Sequence, residues 1–532
     1  MSSPLPSLAA QTTLFSTDTS GFGNPTSLDG GGDVDGDGTP DFITSAFSTT
    51  GTIVWSGASG AQILTLKLPY SPVLLLYGTS VADIGDVNLD GRRDIAVGAP
   101  MNDKPYGYDL IPGMVFVCSG ADGSLMYRVA GVDNSATVND FGKSVSAIGD
   151  ITGDGIPDFA AADPGLAFVR VISGWDGLVQ MHVQSSGGFG ASMSGAGDVN
   201  LDGFVDLVVS RPGGSPPSVQ VRSGLDMLVV CEFLAAAPFF LYGFAVSGGS
   251  DVDADGVPDI LVGDPGHIGS PAFPGAAYLY SGASGVLLRT HMGTHASSRF
   301  GAGVEFLKDA TGDGIDDYGI AAPNDTAFGT GPESGAVRLF SGATGAVSST
   351  VHLKGAAGSA GRLMASVNDL NGDGLSDLVA SDPPNIAVRA VSFAPGLQQY
   401  GFPTNACLGD QIMNATRVPK LGESAFEFTC TGLLSGAASI CVVTDRALIP
   451  PEDPFQLGLQ MHIDLLGASE TFAIPMVTNA AGFGIAPAPI PNDAALVNRS
   501  YFAQTITLFP PGSCLPWQTL SASRALVVTL LL

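Results

Sequence analysis

One nine-residue pattern recurs seven times in this chain of 532 residues, and it restricts the fold more than any bulk property. The copies are DVDGDGTPD from Asp33, DVNLDGRRD from Asp86, DITGDGIPD from Asp150, DVNLDGFVD from Asp198, DVDADGVPD from Asp251, DATGDGIDD from Asp309 and DLNGDGLSD from Asp369. Their first aspartates stand 53, 64, 48, 53, 58 and 60 residues apart, a period typical of propellers and other repeat architectures. Two carboxylates about 4 Å apart repel by roughly 4 kcal/mol at an effective dielectric near 20, so loops this acidic call for a cation.

A fixed frame surrounds each copy. Nine residues before the first aspartate comes an aromatic–glycine pair: Tyr77-Gly78, Phe141-Gly142, Phe189-Gly190, Tyr242-Gly243 and Phe300-Gly301. Repeat seven has Ala360-Gly361 there, and repeat one has Phe22-Gly23 eleven residues ahead. Fourteen residues after the aspartate stands Pro100, Pro164, Pro212, Pro265, Pro323 or Pro383, with Phe47 in repeat one. A Ser-Gly step recurs at Ser56, Ser119, Ser173, Ser223, Ser281 and Ser341 and fails at Ser392-Phe393.

The apolar runs flanking each loop, such as SVADIG and DIAVGAP, are too short for helices and are bounded by Gly and Pro. Each loop is therefore a hairpin turn. The run before Ser-Gly and the run after it complete four antiparallel strands per repeat, which predicts an all-β chain built on a seven-bladed β-propeller.

The loop chemistry is that of a hard cation. Oxygen ligands at positions 1, 3, 5 and 9, a backbone carbonyl at 7 and a glycine of positive φ at 6 wrap Ca2+, which takes six to eight oxygens. The predicted ligands are Asp33, Asp35, Asp37, Thr39 and Asp41; Asp86, Asn88, Asp90, Arg92 and Asp94; Asp150, Thr152, Asp154, Ile156 and Asp158; Asp198, Asn200, Asp202, Phe204 and Asp206. The remaining loops offer Asp251, Asp253, Asp255, Val257 and Asp259; Asp309, Thr311, Asp313, Ile315 and Asp317; Asp369, Asn371, Asp373, Leu375 and Asp377. Up to seven calcium ions are expected, held most tightly by the first and fifth loops, which carry acids at all four side-chain positions. An EF-hand is excluded, because position 12 is never acidic (Thr44, Val97, Ala161, Val209, Val262, Ile320, Ala380) and no helix follows.

The formal charge is −29, and 23 of the 50 acidic residues are loop ligands, so the acidity is largely the metal chemistry. It argues against a nucleic-acid partner, since phosphate binding relies on Lys and Arg. No apolar run is long enough to span a bilayer, and the terminal ALVVTLLL reads as a final strand. MSSPLPSLAAQ lacks the basic and apolar regions of a secretory signal, although SLAAQ resembles the remnant of a cleavage site. Cys118 and Cys231 lie in strand-like runs and read as buried thiols, whereas Cys407, Cys430, Cys441 and Cys514 allow two disulfides in three pairings.

The aromatic–Gly pair, the DxDxDGxxD loop and Gly98-Ala99-Pro100 resemble the FG-GAP repeat of integrin α-subunits and of secreted bacterial proteins. The resemblance implies a seven-bladed propeller over residues 20–400, preceded by an extension, 1–19, that could supply a closing strand. Residues 401–532 lack the loop, and PIPNDAALVNRSYFAQ with SASRALVVTL resembles a small C-terminal β-sandwich of bacterial repeat proteins. The expected protein is an extracellular or cell-surface, monomeric, calcium-binding scaffold for a protein or glycan ligand, not an enzyme. Two alternatives stand beside it: a carbohydrate-active enzyme with its site in the propeller channel, and a structural component of an envelope or matrix.

Other motifs read as structure. Gly142-Lys143-Ser144 is a strand start rather than a phosphate loop, and His291 and His295 are solvated residues at a strand end and loop rather than a metal pair. Asn324, Asn414 and Asn498 are acceptor sequons, relevant only in a glycosylating host. The acids outside the loops are too scattered along the chain to identify a catalytic pair.

Overall fold

The computed structural model describes residues 9–18, 25–30, 32–46, 51–66, 76–100, 112–132, 140–235, 241–269, 272–325, 335–353, 361–371, 374–382, 387–400, 412–415, 427–431, 438–444, 447–452, 461–463, 471–478, 484–488, 500–508, 520–522 and 525–529. Among these described residues there are strands and turns and no helix, so none of them forms a helix long and apolar enough to cross a membrane. Phe22-Gly23, Phe47, Ala360, Asp373, Pro383, Cys407, Asn498 and Cys514 lie outside the described residues.

The chain divides into two compact units, one of Thr13–Ala346 with Val351–Ser392 and the other of Met1–Thr12, Val347–Thr350 and Phe393–Leu532. After a first strand, β1 (Ala9–Asp18), the larger unit repeats one element order. Its first sheet comprises β2 (Pro25–Gly30), β3 (Phe42–Ala46), β4 (Thr52–Trp55) and β5 (Gln62–Leu66). The second has β6 (Ser80–Gly85), β7 (Asp94–Ala99), β8 (Met114–Cys118) and β9 (Leu125–Ala130). The third has β10 (Ser144–Gly149), β11 (Asp158–Asp163), β12 (Phe168–Ile172) and β13 (Val179–Gln184). The fourth has β14 (Met193–Gly197), β15 (Asp206–Arg211), β16 (Ser218–Arg222) and β17 (Val229–Leu234). The fifth has β18 (Ala245–Ser250), β19 (Asp259–Asp264), β20 (Ala276–Tyr280) and β21 (Leu287–Met292).

The same order continues in β22 (Val304–Leu307), β23 (Asp317–Ala322), β24 (Gly335–Phe340) and β25 (Val347–Leu353). The last repeat has three strands of its own among the described residues, β26 (Met364–Ser366), β27 (Leu378–Asp382) and β28 (Ala387–Tyr400), instead of the four expected, in keeping with the failure of its Ser-Gly step at Ser392-Phe393. Each repeat is an antiparallel meander, an arrangement consistent with a β-propeller. The first strands meet in turn: β2 touches β6, β6 touches β10, and so on through β14, β18 and β22 to β26, which touches β2.

Among the second strands, Asp94–Ala99 is buried along its whole length, and bulges shape the second to fifth sheets. In β6–β7 the register runs from Ser80 opposite Gly98 to Gly85 opposite Asp94, slipping at Ile84. The same slip occurs at Ile148, Ala196 and Gly249, so that loops two to five each follow a bulge by two residues, whereas β2–β3 slips at Thr26 and β22–β23 and β26–β27 run without a shift. Such a bulge raises the local twist and aims the turn.

The aromatic–glycine pairs explain themselves in this setting. Tyr77, Phe141, Phe189, Tyr242 and Phe300 are all buried, between one sheet and the next. Tyr77 meets Phe116 edge-on at 5.8 Å, and Phe141 stacks on Phe168 at 5.9 Å. Each contributes about 1.5–3 kcal/mol by burial. The glycine that follows turns the chain with positive φ, +87° at Gly142, and its amide donates to Ala162 O at 3.0 Å. A Cβ on Gly142 would stand 2.5 Å from Met114 O, so no other residue fits there.

In the smaller unit, Ala438–Thr444 pairs antiparallel with both Thr471–Thr478 and Ser500–Leu508, and Ala525–Thr529 pairs with Ser500–Leu508. The strand expected at ALVVTLLL is this last one. Within this unit Ala9 of β1 lies opposite Ser349 of β25 in parallel register.

Several sequence expectations change. Cys118 is buried, but Cys231 is only half-buried, because it sits on a fourth strand where one face meets solvent. Cys441 is buried on Ala438–Thr444. His291 is not a solvated residue: its Nε2 lies 2.8 Å from Tyr318 Oη, and its ring packs 4.1 Å from that of Phe340. Burial pushes its pKa down to about 4, so the ring is neutral at physiological pH. His295 is partly exposed and pairs with Asp325 at 2.9 Å. Ser144 opens β10 as expected of a strand start.

Candidate metal centre

Every acidic loop joins the first strand of a repeat to the second, and a common hydrogen-bond frame sets its shape. The carboxylate at position 1 accepts the amide of the position 6 glycine: Gly38 to Asp33 at 2.9 Å, Gly91 to Asp86 at 2.8 Å, Gly155 to Asp150 at 2.8 Å and Gly203 to Asp198 at 2.8 Å. Gly256 to Asp251 and Gly314 to Asp309, both at 2.8 Å, and Gly374 to Asp369 at 2.7 Å complete the set. These glycines have φ between +85° and +93°, and a Cβ on any of them would meet nothing within 4 Å. Backbone conformation, not space, requires glycine here.

Position 5 accepts the amide of position 7, as from Thr39 to Asp37 at 2.8 Å, Arg92 to Asp90 at 2.9 Å, Ile156 to Asp154 at 2.9 Å, Phe204 to Asp202 at 3.0 Å, Val257 to Asp255 at 3.0 Å and Ile315 to Asp313 at 3.0 Å. The side chain at position 7 is thus free to vary. At position 3, Asn88 and Asn200 accept the amides of Asp90 and Asp202, both at 2.9 Å. Thr152 and Thr311 place their hydroxyls 3.4 Å from Asp150 Oδ1 and Asp317 Oδ1. Leu375 stands at position 7 of the seventh loop, and Asn371 Nδ2 there donates to Ser392 Oγ at 2.8 Å.

Position 9 has a second task beyond that of a predicted ligand. Asp41, Asp94, Asp158, Asp206, Asp259, Asp317 and Asp377 are all buried. Their Oδ2 accepts the amide of position 2, from Val34 at 2.7 Å to Ile151 at 3.0 Å. In the first six loops Oδ1 also accepts the glycine of the Ser-Gly step, for instance Gly57 to Asp41 at 3.0 Å and Gly282 to Asp259 at 3.1 Å. The recurring Ser-Gly was the signal: its glycine amide is the partner of the last aspartate.

Electrostatics follows from this burial. Desolvation pushes Asp41, Asp94 and Asp317 up to about 6 and Asp259 up to about 7, with neighbouring loop aspartates adding to it. A cation in the loop would favour the charged form instead. One carboxylate oxygen from each of Asp33, Asp35 and Asp37 lies within 4.8 Å of the others, as do those of Asp251, Asp253 and Asp259. These groups stand in the two loops with acids at every side-chain position. Their donors are all oxygens, so the residues fit a hard divalent cation.

The fold also gathers carboxyls that are remote in sequence. Asp29 on β2, Asp83 on β6 and Glu305 on β22 lie on successive or nearby first strands of the ring. Asp29 Oδ2 accepts the Asp83 amide at 2.7 Å, and Asp83 is held by Arg93 Nε at 2.7 Å. Burial, then repulsion from Asp29, pushes Glu305 up to about 8, and burial pushes Asp29 up to about 7. Both are half-buried by surface area. The acids outside the loops look scattered in sequence because 276 residues separate Asp29 from Glu305 and only ring closure brings them together.

No protein-family model matches the chain. Integrin alpha-5 of Xenopus laevis is 30% identical over 177 residues, 30% of this chain and 16% of that protein. Integrin alpha-8 of Mus musculus is 32% identical over 132 residues, covering 23% and 12%, and integrin alpha-2 of Bos taurus is 30% identical over 105 residues, covering 19% and 8%. The chain thus spans less than a fifth of each of these relatives. Integrin α-subunits are homologues over part of the repeats, and the four-stranded sheets agree with an FG-GAP β-propeller.

Proposed function

We propose that this chain is an extracellular, calcium-binding FG-GAP scaffold of seven blades that binds a protein or glycan ligand in adhesion at a cell surface. The carrying observation is the common frame of the acidic loops, which sets oxygen donors at equivalent points of seven hairpins. Asp33 to Asp41 and the six equivalent loops hold calcium in this reading, and β1, next to β28 in hydrogen-bond order, closes the ring. Residues 401–532 form a separate β-sandwich-like domain. The relatives' name, integrin alpha, supports the adhesion half. Calcium adds its binding free energy to the folded state, about 2.7 kcal/mol per site at a hundredfold excess over Kd.

Thermal denaturation with calcium and with a chelator tests the metal half: a large fall in Tm on chelation is expected, and an unchanged Tm overturns it. Glycan and protein arrays probed with the calcium-loaded chain test the binding half.

Asp29 and Glu305 favour a second reading, a hydrolase with its site at the ring axis, because a carboxyl raised to about 8 can serve as a general acid. Turnover of an array ligand that is lost in Glu305→Gln would establish it.

A further inference from the structure

The loops and the Ser-Gly turns interleave on one face of the larger unit. The turn at Gly174 bonds Asp158 of the third loop and packs against Val87 of the second; the turn at Gly224 bonds Asp206 of the fourth loop and packs near Ile151 of the third. Loops two to four and turns three and four therefore form one continuous sector.

This sector carries Leu89 and Leu201 on its loops and Trp175, Leu178, Leu225 and Leu228 on its turns, each between 52% and 67% exposed. The positions of Trp175 and Leu225 hold Ala58, Ala121, Ala283 and Ala343 in the other turns. Leu89 and Leu201 adopt left-handed backbone, φ +60° and +59°, where other loops place Gly36, Gly153 and Gly312 or, in the fifth, the small Ala254 at φ +60°. A large apolar side chain kept exposed on strained backbone points to a contact made with something else.

The surroundings say what that contact is. The nine ligand-position carboxylates of these loops, with Asp176 and Asp226 of the turns, outnumber the charge that three divalent ions would bring. Of the arginines in or beside the sector, Arg93 is bound to Asp83, Arg92 lies 3.3 Å from Val34 O, and Arg222 donates to Gln220 Oε1 and to Met227 O. The sector is acidic with or without cations, so a second copy of a chain with net charge −29 is repelled and a basic partner is attracted.

We propose that this sector docks a basic amphipathic segment of a partner protein, its apolar side chains seated on Leu89, Trp175, Leu178, Leu201, Leu225 and Leu228 and its lysines or arginines on the flanking acids. The inference rests on the binding-scaffold half of the proposed function and is independent of the calcium half.

The test uses the full chain and three labelled helical peptides of equal length: lysine–leucine, glutamate–leucine in the same pattern, and lysine–serine. Fluorescence anisotropy is read in calcium and in chelator, with wild type and with Trp175→Ser/Leu225→Ser. The lysine–leucine peptide should bind at least about tenfold more tightly than the other two, and the double substitution should weaken it by about tenfold with Tm unchanged. Absence of binding, equal binding of lysine–serine, or indifference to the substitution overturns the proposal. Capture by phosphatidylserine vesicles without peptide binding overturns it in favour of a membrane surface. A Tm insensitive to chelator sinks the calcium reading but not this one, whereas a failed peptide arm leaves the array result standing.

Discussion

The carboxylate of Asp259 accepts the Gly282 amide at 3.1 Å while its other oxygen accepts the Val252 amide at 2.9 Å. One buried side chain thus ties an acidic hairpin to the turn between the third and fourth strands of its sheet. Because both oxygens are engaged by backbone donors, Asp259→Asn should lower stability by about 1–3 kcal/mol even in chelator. Asp255→Asn, at an exposed position, should change stability in chelator by less than about 0.5 kcal/mol but reduce the stabilisation by calcium. Chemical denaturation with and without calcium separates the two.

Charge count should rank the loops. Asp35→Asn and Asp253→Asn convert the first and fifth loops to the pattern of loops two, four and seven. Each should weaken the tightest calcium sites by about tenfold, read by isothermal titration calorimetry. If the heats of these sites are unaltered, the first and fifth loops are not the strong ones.

Stability of the chelated protein should fall as pH rises. Glu305 has a folded value of about 8 against an ordinary value of 4.5, and Asp29 one of about 7 against 3.8. The folded state therefore holds protons that the unfolded chain has released, and stability present below about pH 4 is lost progressively up to about pH 8. Glu305→Gln cannot ionise, so its Tm should decline less between pH 5 and pH 8. Parallel Tm curves for variant and wild type would refute the assignment.

Leu89→Gly and Leu201→Gly should each stabilise the fold by up to about 1 kcal/mol, since glycine adopts φ near +60° without the cost that a Cβ imposes. Equilibrium urea denaturation measures it. The same variants should bind the lysine–leucine peptide less well, stability and recognition moving in opposite directions.

The repeat was legible because each copy carries its own local instructions: glycine at position 6 for positive φ, a fixed distance to Phe141-Gly142 or Phe300-Gly301, and short runs that admit only strands. Loop, hairpin and four-strand meander are near-neighbour consequences of such signals. What depended on ring closure was not legible. Glu305 and Asp29 reveal nothing of each other in one dimension, and the double duty of Asp259 required knowing that Gly282 returns beside it. His291 was misread for a related reason: spacing described its chain neighbours, whereas Tyr318 and Phe340 arrive from other strands.

The mutual contact of the first strands, with β26 returning to β2, has a consequence for how such a chain can change length. In an open stack an added repeat leaves its neighbours' geometry intact, but in a closed circle every wedge must narrow to admit one more. Insertions and deletions in kindred chains should therefore gather in the connections between sheets, where the spacing already ranges from 48 to 64 residues, and spare the number of sheets.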